Sequence, residues 1–193
     1  MRKTLIVAIR YTIVTTILLG VLYPLAVTGL AQLLMRDKAD GSLIVRNGHV
    51  IGSALLAQGF SSPRYFHPRP SDAGNGYDAT SSGASNYGPS NQKLIDRISG
   101  DVATWHKQDP GAKGAVPVGL VTTSASGLDP DITPAGALYQ VPMVAAARHL
   151  PEAEVRELVE QHIEGRQLGF LGEPRVNVLE LNLALDALEQ GGR

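Results

Sequence analysis

The sequence predicts a mixed α/β domain, of the α+β kind, that is tethered to a membrane by one N-terminal transmembrane helix. The first observation is an uncharged run, residues 11–35, near the start of a chain of 193 residues. The second is the charge of residues 36–193, which carry 14 of the 17 basic side chains and all 18 acidic ones. The third is a series of amphipathic helix patterns and a hairpin signal in that charged part. Its net charge of −4 argues against a nucleic-acid partner, because phosphate backbones need a basic surface.

The uncharged segment, Tyr11 to Met35, is long enough to cross a bilayer. As an α-helix it would extend about 37 Å, which exceeds the hydrocarbon thickness and allows some tilt. The apolar run is longer than the core of a signal peptide, and no A-x-A cleavage pattern follows it. We therefore expect an uncleaved transmembrane helix, with a secreted protein as the alternative.

The charges on either side of this span predict its orientation. Three cations precede the span and two follow it closely: Arg2, Lys3, Arg10, Arg36 and Lys38. Basic residues favour the cytoplasmic side of a membrane, whereas acidic residues count for little. We expect residues 1–10 in the cytoplasm and residues 36–193 outside, on the periplasmic side.

A hairpin and a long loop are expected before the first amphipathic helix. Residues 42–46 (SLIVR) and 49–53 (HVIGS) flank Asn47-Gly48, a dipeptide suited to a type I′ turn. Residues 59–91 then combine many Gly, Ser, Pro, Asn and Asp residues with several aromatic ones and show no regular period. Because disordered segments are poor in aromatic residues, we expect this loop to be ordered and functional.

Four helices and one strand are expected in the remainder. The first helix begins at Ser90 or Asn91, has an apolar stripe that reaches Trp105, and ends at Asp109-Pro110-Gly111. Residues 116–122 (VPVGLVT) predict an edge strand or a strand start, because they contain Pro117. The other helices begin at capping or proline signals: a short one from Thr133-Pro134 through Tyr139, one after Leu150-Pro151, and a last one from Asn177 to about Glu189, for which a strand is the alternative.

The stretch Ser82 to Asn91 (SGASNYGPSN) has the spacing of a phosphate-binding loop. Gly83, Gly88 and Ser90 match the glycines and hydroxyl of G-x-x-x-x-G-K-[ST], but Pro89 stands where the lysine belongs. Proline removes both the positive charge and a backbone donor, which argues against ATP hydrolysis by this chain. The alternatives left open are weak anion contact and an ordered loop that presents a surface.

No other pattern predicts an active site or a metal site. The five histidines lack the spacing of zinc ligands, there is no cysteine, and no serine is placed with a histidine and an acid. We therefore expect no catalytic residue and no metal ligand. His67, between Arg64 and Arg69, is expected to be an isolated exposed histidine, with a cationic patch for an acidic partner or lipid head groups as the alternative.

Four long stretches resemble the C subunits of the bacterial Kdp potassium-transporting P-type ATPases, the KdpC family. They are spread over nearly the whole chain and are far more specific than a single glycine motif. The stretches are Tyr65 to Ser71 (YFHPRPS), Ser82 to Asn91 (SGASNYGPSN), Val116 to Val141 (VPVGLVTTSASGLDPDITPAGALYQV) and Arg166 to Leu185 (RQLGFLGEPRVNVLELNLAL).

The resemblance implies a non-catalytic accessory subunit in the bacterial inner membrane, in contact with lipid and with three partners. These are a catalytic P-type subunit that hydrolyses ATP, a channel-like potassium-translocating subunit and a small single-span subunit. Members assemble or stabilise the complex and act as catalytic chaperones that raise the ATP affinity of the catalytic subunit. The resemblance also implies a nucleotide-contacting loop, here Ser82, Gly83, Ser85, Asn86, Gly88, Pro89, Ser90 and Asn91.

The implied ATP contact conflicts with the predicted orientation, because cellular ATP is cytoplasmic and this loop is expected outside. We therefore hypothesise that the external domain covers the outer mouth of the potassium pathway while its helix packs on the channel-like subunit. Stabilising one state of the complex would then change ATP affinity by linkage. The rival class is a free-standing membrane-anchored binding protein or enzyme, which the lack of an acid–base pattern disfavours.

Overall fold

A computed structural model describes residues 1–108 and 114–191. The chain divides into two compact units, Met1–Ser53 and Ala54–Arg193. The first contains a long helix and a hairpin, and the second contains the remaining helices and a large loop region. The predicted helix end at Asp109-Pro110-Gly111 lies outside the described residues.

One continuous helix, α1, begins the first unit and runs over Arg2–Leu34. Its apolar window has a mean hydropathy of 2.2 and none of it is buried, so the helix is long and apolar enough to cross a membrane. The predicted span lies in it except for Met35, and the helix begins earlier than the span, at Arg2.

A π-helical turn at Leu18–Leu22 interrupts the α-helical geometry of α1. In this turn the N–H of Tyr23 donates to the carbonyl of Leu18, five residues back. The next residue is Pro24, which has no N–H and whose ring would crowd the carbonyl of Gly20 in a regular α-helix. Widening the turn before the proline relieves this conflict.

The predicted hairpin completes the first unit and is confirmed. After a short helix, α2 (Arg36–Ala39), strand β1 (Leu43–Arg46) pairs antiparallel with β2 (His49–Ser53). Asn47 and Gly48 have φ angles of 53° and 77°, as a type I′ turn requires.

The second unit packs its helices around one core. Its elements are α3 (Gln92–Gln108), a 3₁₀ turn (Val118–Leu120), β3 (Asp131–Ile132), α4 (Pro134–Arg148), α5 (Glu152–Gln161), β4 (Val176–Asn177) and α6 (Val178–Gly191). Helix α4 contacts α5, α5 contacts α6, and α3 adds Trp105 to the core. The most buried side chains include Val141, Val144, Val155 and Leu185.

The three capping predictions in this unit are confirmed by hydrogen bonds. The side chain of Thr133 accepts from the N–H of Gly136 at 3.1 Å, and that of Asn177 accepts from Glu180 at 3.1 Å. Asn91 caps α3 in the same way. The last element is therefore the helix and not the alternative strand, with Leu181 and Leu185 fully buried on its inner face.

Two predictions for this unit are wrong. Residues 116–122 form no strand: after Pro117 the chain makes the 3₁₀ turn, whose closing bond joins the N–H of Leu120 to the carbonyl of Pro117 at 2.9 Å. The helix from Thr133 does not stop at Tyr139 but continues through Pro142 to Arg148. Burial of both faces of this helix outweighs the one hydrogen bond that Pro142 removes.

Candidate functional site

The candidate site is the loop Ser82 to Asn91, which lies at the surface of the second unit. Its first two residues bond to the same acceptor: the Ser82 hydroxyl and the Gly83 N–H donate to the carbonyl of Ser126 at 2.9 and 3.0 Å. The loop is thereby attached to a second turn-rich segment around Gly127. Ser85 is half-buried, whereas Asn86, Gly88, Pro89 and Ser90 are exposed.

The middle of the loop is held by its own polar groups. Asn86 has a φ angle of 52°, a left-handed conformation that asparagine tolerates better than most residues. Its side-chain amide donates to the carbonyl of Ala84 at 3.1 Å. This amide is therefore already used within the loop.

The end of the loop is the N-terminus of α3, where some of the backbone donors are already used. The N–H of Asn91 donates to Gly88 at 3.0 Å, and the Asn91 side chain accepts from the N–H of Lys93 at 2.9 Å. The N–H groups of Leu94 and Ile95 donate to the Asn91 carbonyl. A phosphate cradle needs N–H groups that are free to point at the anion. These four donors are therefore not available to a phosphate.

Two arginines near the loop are already paired with acids, whereas Lys93, two residues beyond its end, is an exposed cation. Arg97, on α3, forms an ion pair with Asp72 at 3.0 Å. The side chain of Ser82 also lines an open cleft of about 630 Å³, in which Arg69 is the cation. Arg69 is paired with Asp129 at 2.7 Å and donates to the carbonyls of Thr122 and Thr123. Of the predicted loop residues, Ser82 alone lines this cleft within the described chain.

Comparison with known proteins decides the family. The family model "KdpC: K+-transporting ATPase, c chain" matches residues 5–187. The chain belongs to the KdpC family. It is 56% identical over 189 residues to the potassium-transporting ATPase KdpC subunit of Koribacter versatilis, an alignment covering 98% of this chain and 97% of that protein. The corresponding subunit of Acidobacterium capsulatum is 58% identical over 181 residues, covering 94% and 96%. That of Rhodospirillum rubrum is 54% identical over 186 residues, covering 96% of each.

The segment Tyr65 to Ser71 is packed into the body of this KdpC protein. Phe66 is fully buried, and its N–H and carbonyl both bond to the side chain of Asn182, at 2.8 and 3.0 Å. His67 is held in the same manner by Gln140, at 2.7 and 3.1 Å. Two buried amides thus reproduce, for an irregular segment, the pairing that a neighbouring strand would supply.

The expectation of an exposed His67 is wrong for this member of the KdpC family. The ring is half-buried, its Nε2 lies 3.0 Å from the carbonyl of Ser62, and its centroid is 5.5 Å from that of Trp105. Burial lowers the pKa of His67, an effect that the hydrogen bond to Ser62 partly offsets. The alternative, a cationic patch, is not supported either, since the flanking Arg64 and Arg69 are paired with acids.

Arg148 connects this KdpC segment to helix α6. Its side chain is 2% exposed and lies 2.8 Å from both Asp186 and Glu189. The guanidinium also donates to the carbonyl of Arg64 and covers the Tyr65 ring at 4.6 Å. Hydrogen bonds from Arg64 and Arg148 lower the pKa of Glu189.

Sequence reasoning missed Gln140, Asn182 and Arg148 as the residues that hold the Tyr65 to Ser71 segment. Each is a polar residue on a helix. Gln140 lies 73 positions from its partner in the sequence, and Asn182 lies 116 positions from its partner. The signal that was available is position: Asn182 follows the buried Leu181 directly and precedes Leu185 by three residues. A polar residue beside such an apolar stripe indicates a buried partner.

Proposed function

We propose that this chain is the accessory subunit of an ATP-driven potassium uptake complex. Its partners are a catalytic P-type subunit, a channel-like potassium-translocating subunit and a small single-span subunit, and ATP is hydrolysed in the catalytic partner. The observation that carries this proposal is the family match over residues 5–187, together with relatives named as potassium-transporting ATPase KdpC subunits. A free-standing anchored enzyme or binding protein is the rival, and an alignment over nearly the full length of a transport subunit argues against it.

The proposed location is the bacterial inner membrane, with the N-terminus inside and the second unit outside. The apolar window of α1, none of which is buried, supports a membrane position. The excess of cations before the span supports the orientation.

In this orientation the subunit acts on ATP affinity without touching ATP. Its external domain covers the outer mouth of the potassium pathway and stabilises one state of the complex, so that affinity at the cytoplasmic site changes by linkage. This catalytic-chaperone role is supported by the loop itself: the N–H of Gly83 and the side chains of Asn86 and Asn91 are engaged within the chain. Pro89 offers no donor.

Cysteine labelling tests the orientation, because the chain has no cysteine of its own. Ser85→Cys places one thiol on the candidate loop, and Thr4→Cys places one on the other side of the span as a matched control. With a membrane-impermeant maleimide on spheroplasts, we expect Ser85→Cys to react at once and Thr4→Cys to react only after permeabilisation. The reverse pattern would place the loop with cytoplasmic ATP and overturn the external location.

Nucleotide binding tests the linkage mechanism. The double variant Ser85→Ala/Asn86→Ala should leave assembly intact and change the apparent ATP affinity of the complex by less than about twofold, as should the control Ser99→Ala on the exposed face of α3. The full chain alone in detergent should show no saturable binding of an ATP analogue. If it binds the analogue and the double variant abolishes binding while assembly persists, direct contact replaces linkage.

A further inference from the structure

A small cleft is lined in part by the Tyr65 to Ser71 segment and by no residue of the candidate loop. It has a volume of about 180 Å³ and is lined by aromatic, proline and polar side chains. The residues that matter for its chemistry are His67, Tyr77, Asp101, Trp105 and Gln108. Nothing in the proposed function assigns a role to this cleft.

Helix α3 builds one wall of the cleft from a single face. Asp101 precedes Trp105 by four residues, so the carboxylate and the indole are neighbours on the helix surface. Trp105 is 7% exposed, and its indole N–H donates to the carbonyl of Leu120 at 3.2 Å. This bond fixes the indole, which is one of the groups that line the cleft.

The opposite walls come from the loop region. The ring of Tyr77 is held in place by its hydroxyl, which donates to the carbonyl of Arg69 at 2.8 Å, and burial raises its pKa to about 12. It therefore stays a neutral phenol. His67 also stays neutral near pH 7, because its pKa is lowered. The cleft thus has aromatic walls that carry no positive charge.

Asp101 supplies the negative charge of the cleft. Its Oδ2 atom is buried and has no hydrogen-bond partner in residues 1–108 and 114–191. Burial raises the pKa of Asp101, and the charge of Arg97, four residues earlier on the same helix, partly offsets this effect. Arg97 pairs with Asp72 through Nη1, while its Nε atom is also buried without a hydrogen-bond partner in the described residues. Two carboxylates and one guanidinium leave this group with one net negative charge, which a cation in the cleft would offset.

We propose that this cleft binds an organic cation, an ammonium or guanidinium group on a short apolar stem, with Asp101 as the counter-ion and Trp105 and Tyr77 as aromatic walls. Aromatic faces attract such cations, and the attraction grows when water is excluded. The volume suits a head group with a few carbons. The same chemistry is offered by a free small molecule and by a lysine or arginine side chain of a partner protein.

Trp105 is the one tryptophan of the chain, so its fluorescence reports on the cleft directly. We expect the full chain in detergent to give a saturable fluorescence change with tetramethylammonium and with arginine amide, and none with potassium chloride at equal ionic strength. Asp101→Asn keeps the side-chain shape and should weaken both organic cations at least about tenfold, as loss of a charged partner does. Asp96→Asn, an exposed residue of the same helix, should titrate like the native chain.

Three results would overturn the proposal: no saturable change, an Asp101→Asn variant that titrates like the native chain, or potassium that saturates the signal as well as the organic cations do. This arm does not depend on the proposed function. A second arm, which does, compares co-purification of the complex with the two variants. Loss of partners with Asp101→Asn alone assigns the cation to a partner's lysine or arginine, and unchanged co-purification assigns it to a free ligand.

Discussion

The segments Tyr65 to Ser71 and Ser82 to Asn91 are held in the structure in opposite ways. The segment Tyr65 to Ser71 is held by the buried side-chain amides of Asn182 and Gln140 and by Arg148. The loop Ser82 to Asn91 is mostly exposed and is attached chiefly at its two ends, through Ser126 and the cap of α3. One irregular segment therefore belongs to the core, and the other presents a surface.

The way each segment is attached determines the role it can have. A segment whose backbone is bonded to Asn182 and Gln140 cannot move without leaving buried polar groups unpaired, so it suits the role of a rigid wall. It is one wall of the cleft that contains Asp101. A surface loop that is held by hydrogen bonds within the chain keeps its shape when no ligand is bound. A docking surface for a protein partner benefits from such a fixed shape.

The largest effect is expected from Arg148, which tests whether the first segment is a core element. Arg148→Met removes the buried charge and leaves Asp186 and Glu189 facing each other, which should lower the free energy of unfolding by about 3–5 kcal/mol. Arg156→Met is the matched control: its pair with Glu152 is exposed on helix α5, so a change within about 0.5 kcal/mol is expected. Urea unfolding of the full chain in detergent, followed by far-ultraviolet circular dichroism, measures both.

Equal losses of unfolding free energy in the two arginine variants would contradict this prediction. Equal small losses would show that the ion pairs of Arg148 add little to the attachment of the Tyr65 to Ser71 segment, which the amides alone would then hold. The cysteine at Ser85 gives a second readout, since its labelling rate in the Arg148→Met background should stay unchanged while the native fold persists. A faster rate would mean that the two segments loosen together.

Local chemistry made much of this fold predictable. Asn47-Gly48 predicts its turn because few residues adopt positive φ easily, and Thr133, Asn91 and Asn177 predict helix starts because their side chains bond two or three residues ahead. The failures involve distant contacts. Pro142 resembles a helix end until the burial of Val141 and Val144 is known, and residues 116–122 resemble a strand although no strand pairs with them in the described chain.

The candidate loop shows the same division. Its position before α3 followed from the capping residue, but its attachment to Ser126 did not, because the partner lies 44 positions away. The spacing of its glycines suggested a phosphate loop, but the close contact involves Gly127, where an added Cβ would lie 2.8 Å from the Gly83 carbonyl oxygen. Only the fold shows what each of these glycines contacts.

Replacing Gly127 or Gly88 by alanine adds one methyl group at the attached end or in the exposed part of the loop region. At Gly127, φ is +67° and an added Cβ would lie 2.7 Å from the Ala73 nitrogen and 2.8 Å from the Gly83 oxygen, all of it backbone that cannot rotate away. Gly127→Ala should therefore lower the free energy of unfolding by about 2–3 kcal/mol. At Gly88 nothing lies within 4 Å and φ is not positive, so Gly88→Ala should change it by less than about 0.5 kcal/mol. Thermal unfolding of the two variants beside the native chain measures the difference.

If Gly88→Ala lowered the free energy of unfolding as much as Gly127→Ala, the exposed half of the loop would have to be packed against another part of the protein. The loop would then belong to the core, as the Tyr65 to Ser71 segment does.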